Sequence, residues 1–269
     1  MKFSTKLIGI GLALAVASSS ASAIVTTWDY SITSLFTAAT YDNGSGGAIP
    51  GAGVDTLSWG SVGTARSSLV VGNSPATGGL TTYLGSSVPS VSPYLGFSTS
   101  LTHNNNPIQG TSLLTAVLSN TVVLTPTSPA NSALSAQLFP FTIGFAETPN
   151  TTPCAVSGSG TSVCNDIFVL TGGLLNSNFQ YDDGTGAATY FVNIFPTTGG
   201  VLGTLNNAAC SAAGQSPGCV GFSTREGEST TLAFGFTIST NPLPVPEPGM
   251  PALFGLGLMA LVGLRRRIV

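Results

Sequence analysis

Between residues 24 and 244 the sequence has no lysine and only two arginines, Arg66 and Arg225. Nine acids stand against them, a formal net charge of −7 over this stretch. Two cations cannot neutralise a run of phosphates, which argues against nucleic-acid binding. An acidic surface also repels anionic lipid, and suits neutral glycans or cations that bridge acidic polymers. Histidine is scarcer still: His103 is the only one, too few for a His-rich metal centre. The four cysteines show no C-x-x-C spacing, so zinc is a poor fit and no resident cofactor is expected. Helical periodicity with caps is also lacking in this stretch. Low charge and abundant Gly, Ser and Thr do not mean disorder, because 42% of the chain is hydrophobic, with many aromatic and β-branched residues.

What is present instead is period-two alternation. Leu232, Phe234, Phe236 and Ile238 alternate with small or polar residues, as do Phe139, Phe141, Ile143 and Phe145. That is the pattern of half-buried strands. Residues 28–32, 112–124, 166–170 and 188–195 read the same way, separated by Gly-, Pro- and Asn-rich turns. Residues 24–244 are therefore expected to form one all-β domain, a β-sandwich or jelly-roll of roughly ten to twelve strands.

Both ends differ from this stretch. Lys2 and Lys6 precede an apolar run from Leu7 to Ala17, and Ala21-Ser22-Ala23 follows. This is the layout of a secretory signal peptide over residues 1–23, with signal peptidase cutting between Ala23 and Ile24. At the other end, residues 245–269 hold Pro246-Glu247-Pro248, then 16 uncharged residues from Gly249 to Leu264, then Arg265, Arg266 and Arg267. A helix of that length spans about 24 Å, slightly less than the hydrocarbon layer. Clustered arginines stay on the cytoplasmic side, leaving the preceding chain outside. Pro-Glu-Pro, apolar helix and arginine cluster, in that order, closely resemble the PEP-CTERM sorting signal of Gram-negative bacteria. The resemblance implies an exosortase as processing partner, a transient anchor in the inner membrane through a removable helix, and then a cell-surface or extracellular location.

Cys154 and Cys164 are ten residues apart and Cys210 and Cys219 nine apart. Of three connectivities, the local pairs are favoured, and export favours disulfides over thiols. Two stretches look alike, "TYDNGSGGA" at 40–48 and "QYDDGTGAA" at 180–188. Asn-Gly and Asp-Gly favour tight hairpin turns. A calcium loop on Asp42, or on Asp182 and Asp183, is the weaker reading, because the alternating oxygens and distal acid of an EF-hand are missing.

His103 lies in "LTHNNNPIQG". The one G-x-S-x-G match, "GQSPG" around Ser216, has Pro217 where a nucleophile elbow needs a helix, so it supplies no catalytic serine. His103 is expected to be structural, in a polar loop where its ring and the Asn amides bond backbone groups. Thr102, His103 and Asn105, followed by Asn-Pro-Ile, resemble the THxN family of PEP-CTERM proteins. "LSWG" at 57–60, "ETPN" at 147–150, "CNDIFVL" at 164–170 and "GFSTREGESTT" at 221–231 carry the same likeness. It implies an exported surface or matrix protein and brings no catalytic residues with it.

The leading expectation is thus a non-enzymatic surface protein associated with exopolysaccharide or biofilm. A carbohydrate-binding module using Trp59, Tyr83, Tyr94 and Asn104–Asn106 is the first alternative. A secreted hydrolase is the second, since a glycosidase needs two facing carboxylates and Glu147, Glu226 and Glu228 are available.

Overall fold

The structure, a computed structural model, describes residues 24–89, 92–158, 164–171, 175–182, 184, 186–197 and 201–244. The expected signal peptide with Ala23, the sorting segment from Pro246 to Arg267, and Asp183 lie outside the described residues.

The described chain is almost entirely strand. In order come β1 (Thr27–Tyr41), β2 (Gly46–Ala48), β3 (Thr56–Trp59), β4 (Ser67–Gly72), β5 (Ala76–Thr81), β6 (Gly96–Asn104) and β7 (Leu113–Ser128). Then follow β8 (Gln137–Ala146), β9 (Asn165–Thr171), β10 (Ser177–Asp182), β11 (Ala187–Pro196), β12 (Gly203–Thr204), helix α1 (Asn207–Ala212), β13 (Val220–Arg225) and β14 (Ser229–Ser239). One antiparallel sheet runs β12-β13-β9-β8-β7-β1-β2, with β5 also on β1; the other runs β10-β11-β14-β6-β4-β3. The all-β expectation holds, and a sandwich of these two sheets accommodates the shared core.

Two details differ from the sequence reading. There are 14 strands among the described residues, because short pieces such as β2 and β12 show no alternation of their own. Helix α1 was also not expected: six residues are too few for a period of 3.6 to show. Its start is nonetheless capped, with Asn206 Oδ1 accepting from the Ala209 amide at 2.8 Å.

The core follows from alternation on the long strands. Trp28, Tyr30, Ile32, Ser34 and Phe36 of β1 all point inward. A bulge between Phe36 and Ala38 then shifts the phase so that Ala39 is the next buried residue. Trp28, fully buried, joins the two sheets: its ring lies edge-on to Tyr190 of β11 at 5.2 Å and to Phe179 of β10 at 5.9 Å. Its indole N–H donates to Thr82 Oγ1 at 2.9 Å, so the buried donor is satisfied.

The two lookalike stretches are hairpin turns, joining β1 to β2 and β10 to β11. Asp42 accepts from the amide and hydroxyl of Ser112, and Asp182 Oδ1 accepts from the amides of Gly184 and Gly186.

Disulfides join Cys154 to Cys164 and Cys210 to Cys219, the local pairs favoured by spacing. The first closes the β8–β9 connection and the second ties α1 to the chain entering β13. Non-reducing peptide mapping should recover these two links. Converting Cys210 and Cys219 together to Ser should cost about 2–3 kcal/mol in denaturant unfolding, from restored freedom of a short unfolded loop. A crossed linkage in the map would overturn this arrangement.

Both ends of the described domain meet at one pole. The Thr82 amide donates to Thr26 O, and the Tyr83 carbonyl accepts from the Thr240 amide. At the opposite pole Ser229 pairs with Asn104.

Candidate functional site

At the pole away from the chain ends, the apolar interior gives way to carboxyls. On the inner face of the larger sheet, Phe145, Phe168 and Phe222 align across β8, β9 and β13. The Phe168 and Phe222 rings stack at 4.5 Å. Two residues further along each strand, the same face carries Glu147, Asp166 and Thr224, with Asp166 and Thr224 direct cross-strand partners. Glu226, in the turn after β13, completes the group. Carboxylate oxygens of Glu147, Asp166 and Glu226 all lie within 4.8 Å of one another.

The smaller sheet supplies the other wall. Trp59, the last residue of β3, donates its indole N–H to Glu147 Oε2 at 3.1 Å. The His103 ring of β6 lies nearly parallel to Trp59, 5.8 Å away, and edge-on to Phe145 at 5.1 Å. Asn105 acts as a clamp. Its amide donates to Glu228 O at 2.9 Å, its carbonyl accepts from the Gly227 amide at 3.0 Å, and its Nδ2 donates to Thr224 O at 3.0 Å. Asn105 thereby fixes the β13–β14 turn that carries Glu226. Gly227 has φ of +74°, a conformation that glycine accepts and branched side chains resist.

Loop contacts position the acids. Asp166 Oδ1 accepts from the Thr148 amide at 2.8 Å and its hydroxyl at 3.3 Å. Glu226 Oε2 accepts from Asn150 Nδ2 at 2.7 Å. Glu147, Thr148 and Asn150 also line a cleft of about 440 Å³. Burial, and then the Asp166 charge, push the Glu147 carboxyl well above the usual carboxylate range. Burial likewise raises Asp166, with the Thr148 amide opposing it and Glu226 adding to it. Burial alone holds His103 down, at about 3, so its ring is neutral in ordinary buffers.

His103 does not sit in a polar loop. It lies inside β6, fully buried, and neither ring nitrogen has a hydrogen-bond partner. Aromatic packing, rather than backbone hydrogen bonding, holds it. Thr102 faces the other way, sharing a hydroxyl hydrogen bond with Thr231 at 2.9 Å.

The sugar-binding set splits. Trp59 is 2% exposed and cannot offer its face to a sugar. Tyr83 and Tyr94, with ring centres 5.5 Å apart, lie at the pole of the chain ends and line a groove of about 500 Å³ there. The acids also divide: Glu147 and Glu226 join the cluster, while Glu228 makes an exposed ion pair with Arg225 at 3.5 Å. Ser216 lies inside the Cys210–Cys219 loop, with a helix before it rather than a strand.

Asp166 and Thr224 were missed as site residues, although their phase on the strands marks them. Asp166 is in step with Phe168, and Thr224 with Phe222, so each polar side chain had to face the same interior as a buried aromatic. The five stretches with a shared likeness, at 57–60, 102–105, 147–150, 164–170 and 221–231, all contribute residues to this one pole.

Residues 244–267 match the PEP-CTERM protein-sorting motif. The motif indicates an exported surface protein that an exosortase sorts through its C-terminus. No curated protein matches the chain. The PEP-CTERM segment begins at Pro244, five residues after β14, so it starts beside the pole where the two ends of the described domain meet.

Proposed function

We propose that this chain is a non-enzymatic surface protein of the THxN group of PEP-CTERM proteins, which associates with exopolysaccharide once exported. The observation that carries the reading is the sorting motif at residues 244–267, joined to a β-domain with almost no cationic surface. Hydroxyls support the glycan assignment. Thr27 with Thr127, Thr40 with Thr115, and Thr102 with Thr231 form exposed cross-strand hydroxyl pairs on the outer faces of the sheets. Such surfaces exchange hydrogen bonds with neutral sugars without having to desolvate charge. Support for the THxN assignment is structural economy: His103 packs the end of the core, and Asn105 clamps the turn beside it. Support for the non-enzymatic reading is that His103 is sealed from solvent and neutral, so it is poorly suited to shuttling a proton.

The Tyr83–Tyr94 pair favours a second reading, a carbohydrate-binding module with its site at the pole of the chain ends. A glycan array and co-sedimentation with native exopolysaccharide test both. Under the leading reading, the protein co-sediments with the polymer, and Tyr94→Ala leaves this unchanged. Loss of binding in a folded Tyr94→Ala protein moves the assignment to the module. Absence of polymer association, or turnover of a glycoside by the wild type, overturns the leading reading.

A further inference from the structure

We propose that Glu147, Asp166 and Glu226 form a binding site for a calcium-like divalent cation. The inference is independent of what the exported domain associates with.

Three carboxyls with oxygens within 4.8 Å make an acceptor-rich centre, but acids alone do not define a site. The independent observation is Thr224. Its hydroxyl is buried at 1% exposure, has no hydrogen-bond partner, and stands beside Asp166 on the inner face of the sheet. Asp166 Oδ2 is equally buried; no donor among the described residues bonds it, and the Glu147 carboxyl can do so only while it carries a proton. A third buried oxygen, Oδ1 of Asn105, also lacks a partner, on a side chain whose Nδ2 bonds the Thr224 carbonyl. Buried polar atoms are ordinarily satisfied, so several unsatisfied acceptors beside three carboxyls point to a missing positive charge. Among the described residues no side-chain cation fills that role. Arg225 is paired outward with Glu228, and Arg66 donates to Ser58 O at 2.7 Å.

The donor chemistry selects the ion. Every available ligand is a hard oxygen, from carboxylate, hydroxyl or amide. That set suits calcium, which accepts six to eight oxygens in flexible geometry, better than zinc or copper. Magnesium demands near-ideal octahedral geometry, which ligands from separate strands and turns do not readily impose. The cleft lined by Glu147, Thr148 and Asn150 gives solvent access to the rim. The contacts already described would hold the ligands in place: the Trp59 indole N–H on Glu147, the Thr148 amide on Asp166 and the Asn150 side-chain amide on Glu226.

Terbium, a luminescent stand-in for calcium, tests the proposal on the purified full-length chain in nonionic detergent. Trp59 touches Glu147 and would sensitise an ion bound there. The expected result is saturable emission on tryptophan excitation, displaced by calcium. Asp166→Asn should weaken terbium affinity at least about tenfold. Calcium at about a hundredfold excess over its Kd should raise the thermal midpoint by roughly 5–10 °C. Should Asp166→Asn fail to fold, Glu226→Gln, a change in the turn rather than on a strand, must show the same loss. Asp42→Asn and Asp182→Asn, in the hairpin turns, must leave emission and midpoint shift intact. Emission that survives both Asp166→Asn and Glu226→Gln overturns the proposal, as does a midpoint that calcium does not move.

Discussion

His103→Ala should destabilise the domain by about 2–4 kcal/mol, whereas His103→Leu should be neutral or stabilising. The first change empties a space between Trp59 and Phe145 that the fixed β6 backbone cannot close. The second keeps most of the volume and removes two buried nitrogens that have no partners. The pair of variants separates packing from hydrogen bonding, which alanine alone cannot do. The pH dependence adds a further signature. In the unfolded chain the imidazole protonates near its ordinary 6.5, but in the folded domain only at about 3. On acidification below 6.5 the unfolded state therefore takes up the proton first. Stability falls as pH drops from about 6.5 toward 3, by about 1.4 kcal/mol per unit from this residue. Glu147 and Asp166 act in the opposite direction. Their folded affinities for protons are raised, so their contribution is full in acid and is lost as pH rises from the ordinary carboxyl range through the raised values. Denaturant unfolding across pH should show His103→Leu losing the acid limb and keeping the alkaline one. If His103→Leu proves as unstable as His103→Ala, the ring nitrogens have an essential partner and the packing account fails.

Deleting Arg265, Arg266 and Arg267 should abolish surface retention while leaving export intact. As a helix, the 16 uncharged residues before them would fall slightly short of the hydrocarbon layer. Each arginine costs about 2.5–3.5 kcal/mol to carry to the bilayer centre, so three in a row make an effective stop. If the apolar segment anchors the chain during sorting, nothing would then hold it across the bilayer. Cell fractionation should move the deleted form from the surface to the periplasm or the medium. Intact mass of the wild-type surface protein should fit a start at Ile24 and an end near Pro246-Glu247-Pro248. Recovery of full-length chain from the surface, or normal retention of the deleted form, would refute the processing scheme.

Much of the fold was legible because alternation is a local signal. Leu232, Phe234, Phe236 and Ile238 sit on one face of β14 as their spacing dictates. The same alternation placed β7, β8, β9 and β11 within a few residues, but it stopped well short of the end of β1 and missed β6, which was read as a loop around His103. Helix α1 was not legible because its formation depends on Asn206 and a disulfide rather than on periodicity. The site was half legible. Glu147 and Glu226 could be singled out as acids, but their meeting depends on the β8–β9 and β9–β13 registers, which bring residues 147, 166 and 224 together from distant parts of the chain. Trp59 looked suited to a surface platform because composition does not say which end of a strand faces the interior.

Strand β14 is the element from which the sorting segment departs, and it is not an edge. It is hydrogen-bonded to β11 on one side and to β6 on the other, and its eleven residues reach about 35 Å from the pole of the chain ends to the carboxyl pole. Were the domain held through its C-terminus, tension would enter it along the axis of an interior strand. The bonds to both neighbours are loaded together in shear, where an edge strand would peel away one bond at a time. Such a load would be borne by the middle of the sheet, and the acidic pole stands at the far end of that strut.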